Sequence, residues 1–233
     1  MSHYLITRWN VRGFGGLYRD PDWLAERQWL FESFCLPSVR RQIARDFCWL
    51  ILVDVETPPE VRTWLAGCDQ RIQLVPVGAD PRERTLAIRA VIRSGSGERV
   101  ITTRLDSDDA IADNHLHAVR AHDWGVRCFV GFEYGLALDH RTGQLWLRRY
   151  RFNPFLSLVE PRDGAESVHV KRHDRVRSEE LMSLPAIGWL QVIHGRNLAN
   201  TPQGSPVPAG AGPELLESFG ARSPDLARPH GIA

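Results

Sequence analysis

Residues 47–54, Phe-Cys-Trp-Leu-Ile-Leu-Val-Asp, form one unbroken apolar run closed by an acid. A strand without polar alternation is covered on both faces, which points to a parallel sheet flanked by helices. Downstream, Thr57-Pro58-Pro59-Glu60 reads as a helix start, with a threonine cap, a proline tolerated in the first turn and a glutamate completing a capping box. Residues 71–78 then read as a strand, Asp80-Pro81-Arg82-Glu83 as a second helix start, 98–105 as a further strand and 113–123 as an amphipathic helix. Upstream, residues 3–8 read as the first strand, and Asp22 to Cys35 as a helix carrying Trp23, Leu30 and Phe34 on one face, closed by Pro37. Strands alternating with helices through about residue 125 predict an α/β fold whose ligands sit at the carboxyl ends of the strands, where Asp54 and Asp106 lie. Beyond Gly125 the pattern turns mixed: 127–139 and 144–150 read as a hairpin, and 187–194 as a late buried strand. From Thr201, Pro, Gly, Ser and Ala dominate, so 201–233 is expected to be a mobile tail apart from a short turn at 214–219.

The composition narrows the function classes. The chain has 233 residues, 43% of them hydrophobic, and a net charge of +1, enough for one globular core and without the basic excess of a general nucleic-acid binder. Cys35, Cys48, Cys68 and Cys128 are widely spaced and read as buried, reduced thiols. No stretch approaches the roughly 18 apolar residues of a spanning helix, so the expected setting is cytoplasmic, with peripheral membrane association left open.

The strongest chemical signal is Asp106-Ser107-Asp108-Asp109, at the end of the strand 98–105. Residues two apart on an extended chain project to one side, so Asp106 and Asp108 aim at one point. Two carboxylates about 4 Å apart repel by about 4 kcal/mol at an effective dielectric of 20, and a divalent metal, Mg²⁺ or Mn²⁺, removes that repulsion. The plain alternative is that one of these acids caps the next helix. His194 ends the late apolar strand and is a third ligand candidate, or else a hydrogen-bonded core histidine. His115, His117 and His122 read as surface histidines, since 115 and 117 face different ways on a helix. Arg12-Gly13-Phe14-Gly15-Gly16 lacks the third glycine of a dinucleotide loop and is weak as a phosphate cradle.

Several blocks, in order, resemble the rhamnosyltransferase family of GT-A-like bacterial glycosyltransferases. They are Thr7-Arg8-Trp9-Asn10, Phe34-Cys35-Leu36-Pro37-Ser38-Val39, Trp49 to Asp54 with Thr57-Pro58, Arg104 to Asp109, Asn153 to Glu160, and Trp189 to Asn197. The resemblance covers roughly residues 4–200, with Trp9 standing where phenylalanine is usual. It implies a GT-A-like fold over residues 1–200, with a nucleotide-binding half at 1–125 and an acceptor and metal half at 126–200. It also implies metal-dependent transfer of a sugar, rhamnose by the family's name, from a nucleotide-diphosphate donor to a glycan or lipid-linked acceptor hydroxyl. Asp106 and Asp108 match the D-x-D pair and His194 the C-terminal metal-binding histidine, while Arg8, Asn10, Asp54, Arg104 and Asn197 are implied to face the donor. Direct displacement inverts the anomeric centre and requires a base, for which His173, Asp174 and Glu133 are available. The alternatives are another metal-dependent nucleotidyl or phosphoryl transferase, and a non-catalytic nucleotide- or glycan-binding module.

Overall fold

The computed structural model describes residues 1–12, 17–122, 124–196 and 201–221. Strand β1 (Ser2–Arg8) leads to helix α1 (Pro21–Leu30), a π-turn (Phe31–Cys35) and α2 (Leu36–Arg40). Strand β2 (Cys48–Asp54), α3 (Pro59–Cys68), β3 (Ile72–Val77), α4 (Pro81–Ser94) and β4 (Arg99–Arg104) follow in alternation. A short β5 (Ala110–Ile111) and α5 (His115–Arg120) lead to β6 (Cys128–Asp139), β7 (Leu145–Arg149), β8 (Ser157–Pro161) and β9 (Leu181–Ile193). Strand β10 (Ser205–Pro206) and α6 (Gly212–Glu217) complete the described chain.

The alternation expected from the sequence yields a parallel block in the order β3-β2-β1-β4. Strand β8 joins β4 antiparallel and connects the block to β6, β7 and β10. Strand β9 runs parallel along β6 and pairs β5 antiparallel, which carries the end of β9 to the 106–109 turn. The fold is therefore mixed α/β, parallel in its N-terminal half, as its apolar strand pattern requires.

Several local expectations are corrected. The first helix does not stop at Pro37: the π-turn intervenes, and Pro37 falls in the first turn of α2, which continues from it with helical backbone. Thr57 is not a cap, because its hydroxyl donates to the Asp54 carbonyl and approaches Asn10 Oδ1; α3 begins after Pro58 without a side-chain cap. Asp80 does cap α4, accepting from Arg82 N at 2.8 Å. His115 is not a surface residue but is buried against the Phe132 ring, with Nδ1 2.8 Å from the Gly188 carbonyl. Cys48 and Cys68 are half-buried, while Cys35 and Cys128 are buried, and all four are free thiols. Residues 201–221 are ordered onto the core: β10 pairs β7, and Val207, Leu216 and Phe219 join Leu30, Phe34, Leu136 and Leu190 in one apolar cluster. Burial of a few spaced apolar side chains outweighs the Pro- and Gly-rich composition there.

Glycines mark where the β6–β9 seam is tight. Gly135 faces Trp189 across it, and a Cβ at 135 would sit 2.0 Å from the indole ring. Trp189 is held in turn by stacking on Phe155 at 5.3 Å and by donating Nε1–H to the Phe132 carbonyl. Gly135→Ala is expected to destabilise by about 1–3 kcal/mol or more through overpacking. Gly67→Ala, on α3 with nothing within 4 Å, is expected to be neutral or to stabilise by up to about 1 kcal/mol. Urea unfolding midpoints of the two variants check both signs.

Candidate active site

The site is assembled at the carboxyl ends of β1 and β4. Their register pairs Ile6 with Arg104, so Arg8 and Asp106, two residues beyond, emerge side by side. Asp106 Oδ1 accepts from Arg8 Nη2 at 2.9 Å, and Oδ2 accepts from Arg104 Nη2 at 2.6 Å. Burial pushes the Asp106 carboxyl up, but the fields and hydrogen bonds of the two arginines outweigh it and hold the group below the usual carboxylate range.

Asp108 takes different partners. Its Oδ2 is 2.9 Å from His194 Nε2 and 2.7 Å from Arg27 Nη1. All three residues are at most 7% exposed. Burial again raises the Asp108 carboxyl, and Arg27 followed by the His194 hydrogen bond brings it below its ordinary value. Asp109 moves the other way, because burial and then the charges of Asp108 and Asp106 push it well up; its Oδ1 accepts from Val192 N at 2.9 Å. Repulsion within the D-x-D-D run is thus answered by guanidinium groups, and it does not by itself require a metal.

Asp108 and His194 supply one carboxylate oxygen and one imidazole nitrogen at a common point, a donor pair that suits Mg²⁺ or Mn²⁺ when water and substrate oxygens complete the shell. Asp106 is engaged by Arg8 and Arg104. Among the described residues, no group of three or more His, Cys, Asp or Glu side chains is placed to hold a metal ion.

Beside Asp106 lies a cavity of about 230 Å³ lined by Arg8, Arg84, Arg104, Lys171, Arg172 and His169, with Leu52 and Ile88 as apolar wall. Lys171 is paired with Glu180 and Arg172 with Asp174. Arg84, on α4, feels only burial and the like charge of Arg8, which both lower its pKa.

Arg104 lines the cavity and Asp106 lies against it, whereas Asn10 and Asp54 are turned to structural work. Asn10 Nδ2 donates to the Tyr18 carbonyl, and its Oδ1 accepts from Asp54 N. The Asp54 carboxylate is clamped by Arg12 at 2.7 Å and accepts from Glu56 N. Asn197 and Gly13 to Gly16 lie outside the described residues. His173 Nδ1 sits 2.6 Å from the Phe152 carbonyl, Asp174 is exposed and paired with Arg172, and Glu133 is held by Arg149 at 2.6 Å. Sequence reasoning missed Arg27 and Arg84. Arg27 had a signal: it falls with Trp23, Leu24 and Leu30 on the buried stripe of α1, where a charge demands a partner. Arg84 had none, since an arginine on an exposed helix is ordinary.

The family model described as "Putative rhamnosyl transferase" matches residues 16–205. The chain belongs to this family. Its architecture is the mixed α/β one expected, parallel in the N-terminal half. Among solved structures, similarity extends to S. aureus TarS 1-349, with 11% identity, 82% of this chain and 60% of that one covered, and a TM-score of 0.47. The same fragment in complex with UDP gives 12%, 83%, 61% and 0.46. The galactosyltransferase LgtC, in complex with donor and acceptor sugar analogs, gives 13%, 69%, 58% and 0.35. The chain thus spans about three fifths of the TarS fragment. No curated protein matches it. No described helix is long and apolar enough to cross a membrane.

Proposed function

We propose that this transferase moves a sugar, rhamnose by its family's description, from a nucleoside-diphosphate donor to a hydroxyl of a glycan or lipid-linked acceptor, with inversion. The observation that carries the reading is the cationic cavity at the ends of β1 and β4, bordered by Asp106. Half-buried guanidinium groups at a cavity wall recognise phosphate oxygens through charge-assisted, often bidentate bonds, so Arg8, Arg84 and Arg104 receive the diphosphate. The cavity is smaller than the roughly 300–1,000 Å³ of a drug-sized pocket, so it houses the charged middle of the donor and leaves base and sugar outside it.

Asp108 and His194 are the residues that would hold a divalent metal, Mg²⁺ or Mn²⁺, in place of their mutual hydrogen bond, with Asp106 acting through Arg8 and Arg104. When bound, such an ion neutralises charge developing on the departing diphosphate. The arginines add fixed positive charge at the same place without reorganising. His173 is the base: its Nδ1–H donates to the Phe152 carbonyl, which leaves the Nε2 lone pair for the acceptor proton. Free thiols at all four cysteines fit a reducing, cytoplasmic setting.

Arg84→Ala is expected to weaken nucleoside-diphosphate binding by roughly 10- to 150-fold, the equivalent of one charge-assisted hydrogen bond of about 1.5–3 kcal/mol. Calorimetric titration with UDP, dTDP and GDP in the presence of Mn²⁺ measures it and identifies the base. Equal affinity of Arg84→Ala and wild type for every nucleotide would remove the cavity from the donor site.

A further inference from the structure

Arg27 is placed where no ordinary helix arginine would be. Helix α1 begins at a good cap, with Asp20 Oδ1 accepting from Trp23 N at 2.8 Å and Pro21 in the first turn. Its buried stripe is Trp23, Leu24, Arg27 and Leu30, so the guanidinium is carried inward with three large apolar side chains. Such burial is costly unless the charge meets a partner. One such partner is Asp108 Oδ2, the oxygen that also contacts His194 Nε2. One oxygen therefore serves both the guanidinium and the imidazole that would share a metal ion.

We propose that Arg27 is an internal competitor for the divalent-cation site, so that metal binding is an exchange in which the guanidinium gives up Asp108. The inference rests on the reading of Asp108 and His194 as metal ligands. A dication between these two residues and a guanidinium on the same oxygen are like charges at contact range in a site shielded from water, where repulsion is little screened. In the same pose the guanidinium carbon lies 5.0 Å from the Trp23 ring centroid, within cation–π range, so the cation–π contact and the Asp108 ion pair are made together. Arg27 is thus a positioning residue. It holds the Asp108 carboxylate against His194 and sets a threshold that the metal must exceed, which keeps affinity low until an anionic donor adds its own attraction.

The competing structural account makes Arg27 a plain counter-ion, whose removal loosens the site and weakens metal binding. The two accounts predict opposite signs. Mn²⁺ binding to the full chain without nucleotide, read from the electron paramagnetic resonance signal of free Mn²⁺, separates them. Arg27→Met, which keeps the apolar stem, is expected to bind Mn²⁺ about tenfold or more tightly than wild type, while Arg27→Lys stays near wild type. Asp108→Asn is expected to lose the site.

If Asp108→Asn loses Mn²⁺ binding while Arg27→Met binds with unchanged or lower affinity, the competitor role is overturned and the metal reading stands. Where Arg27→Met fails to fold by circular dichroism, Arg27→Gln, which removes the charge and keeps hydrogen bonding, takes its place, and unchanged or weaker Mn²⁺ binding by it likewise overturns the exchange. If Asp108→Asn binds Mn²⁺ as wild type does, the metal reading itself fails and the competitor role falls with it.

Discussion

Asp108→Asn is expected to lower sugar transfer by about 100- to 1,000-fold, the usual effect of removing one group that stabilises transition-state charge. The same substitution takes from Arg27 the anion it meets at 2.7 Å, and breaking such a buried pair from one side costs about 3–5 kcal/mol. Both effects are measurable on one preparation, by initial rates with a nucleotide sugar and by urea unfolding. The pH dependence of stability follows from the direction of the shift. Folding lowers the pKa of Asp108, so its contribution is full above the ordinary aspartate range and is lost as pH falls through and below that range. Wild type is therefore expected to lose stability on acidification toward pH 3 more steeply than Asp108→Asn.

His173→Gln is expected to lower kcat by about 100- to 10,000-fold, the range for loss of a general base, with nucleoside-diphosphate affinity unchanged. Burial lowers the His173 pKa from 6.5, the Phe152 carbonyl opposes the shift and Arg104 adds to it. The imidazole is therefore neutral and able to accept a proton at pH 7. The rate in wild type should fall on the acid side with a midpoint below 6.5, and this limb should vanish from the residual activity of His173→Gln. Asp174→Asn should be close to wild type, because that carboxylate is exposed and tied to Arg172. A pH profile of kcat for the three proteins measures all of this; an unaltered kcat in His173→Gln would remove it from the reaction.

The parallel half of the fold was legible because its signals are local. The apolar run of β2, the acid at its end and the Asp80 cap of α4 each state their element within a few residues. The order of residues 201–221 was not legible because Val207, Leu216 and Phe219 are too few to show a period, and only the partner surface across α1 and β6 gives them a core. Strand β8 went unmarked for the related reason that its place between β4 and β6 depends on a long return of the chain. In the site, Asp106, Asp108 and His194 could be singled out by chemistry and position along strands. Their pairing with Arg8 and Arg27 could not, because those contacts join residues as far apart as 98 positions. The π-turn was equally hidden: Phe31 to Cys35 reads as ordinary helix, and the extra residue shows only in the hydrogen bonds.

The central claim is that Asp108 and His194 hold a divalent ion next to a diphosphate received by Arg8, Arg84 and Arg104. Anomalous X-ray scattering from crystals grown with Mn²⁺ and a nucleoside diphosphate tests it most directly. The account predicts a manganese peak in contact with Asp108 and His194, and phosphate density facing the three arginines. Manganese elsewhere, or a diphosphate bound away from that cavity, would contradict it.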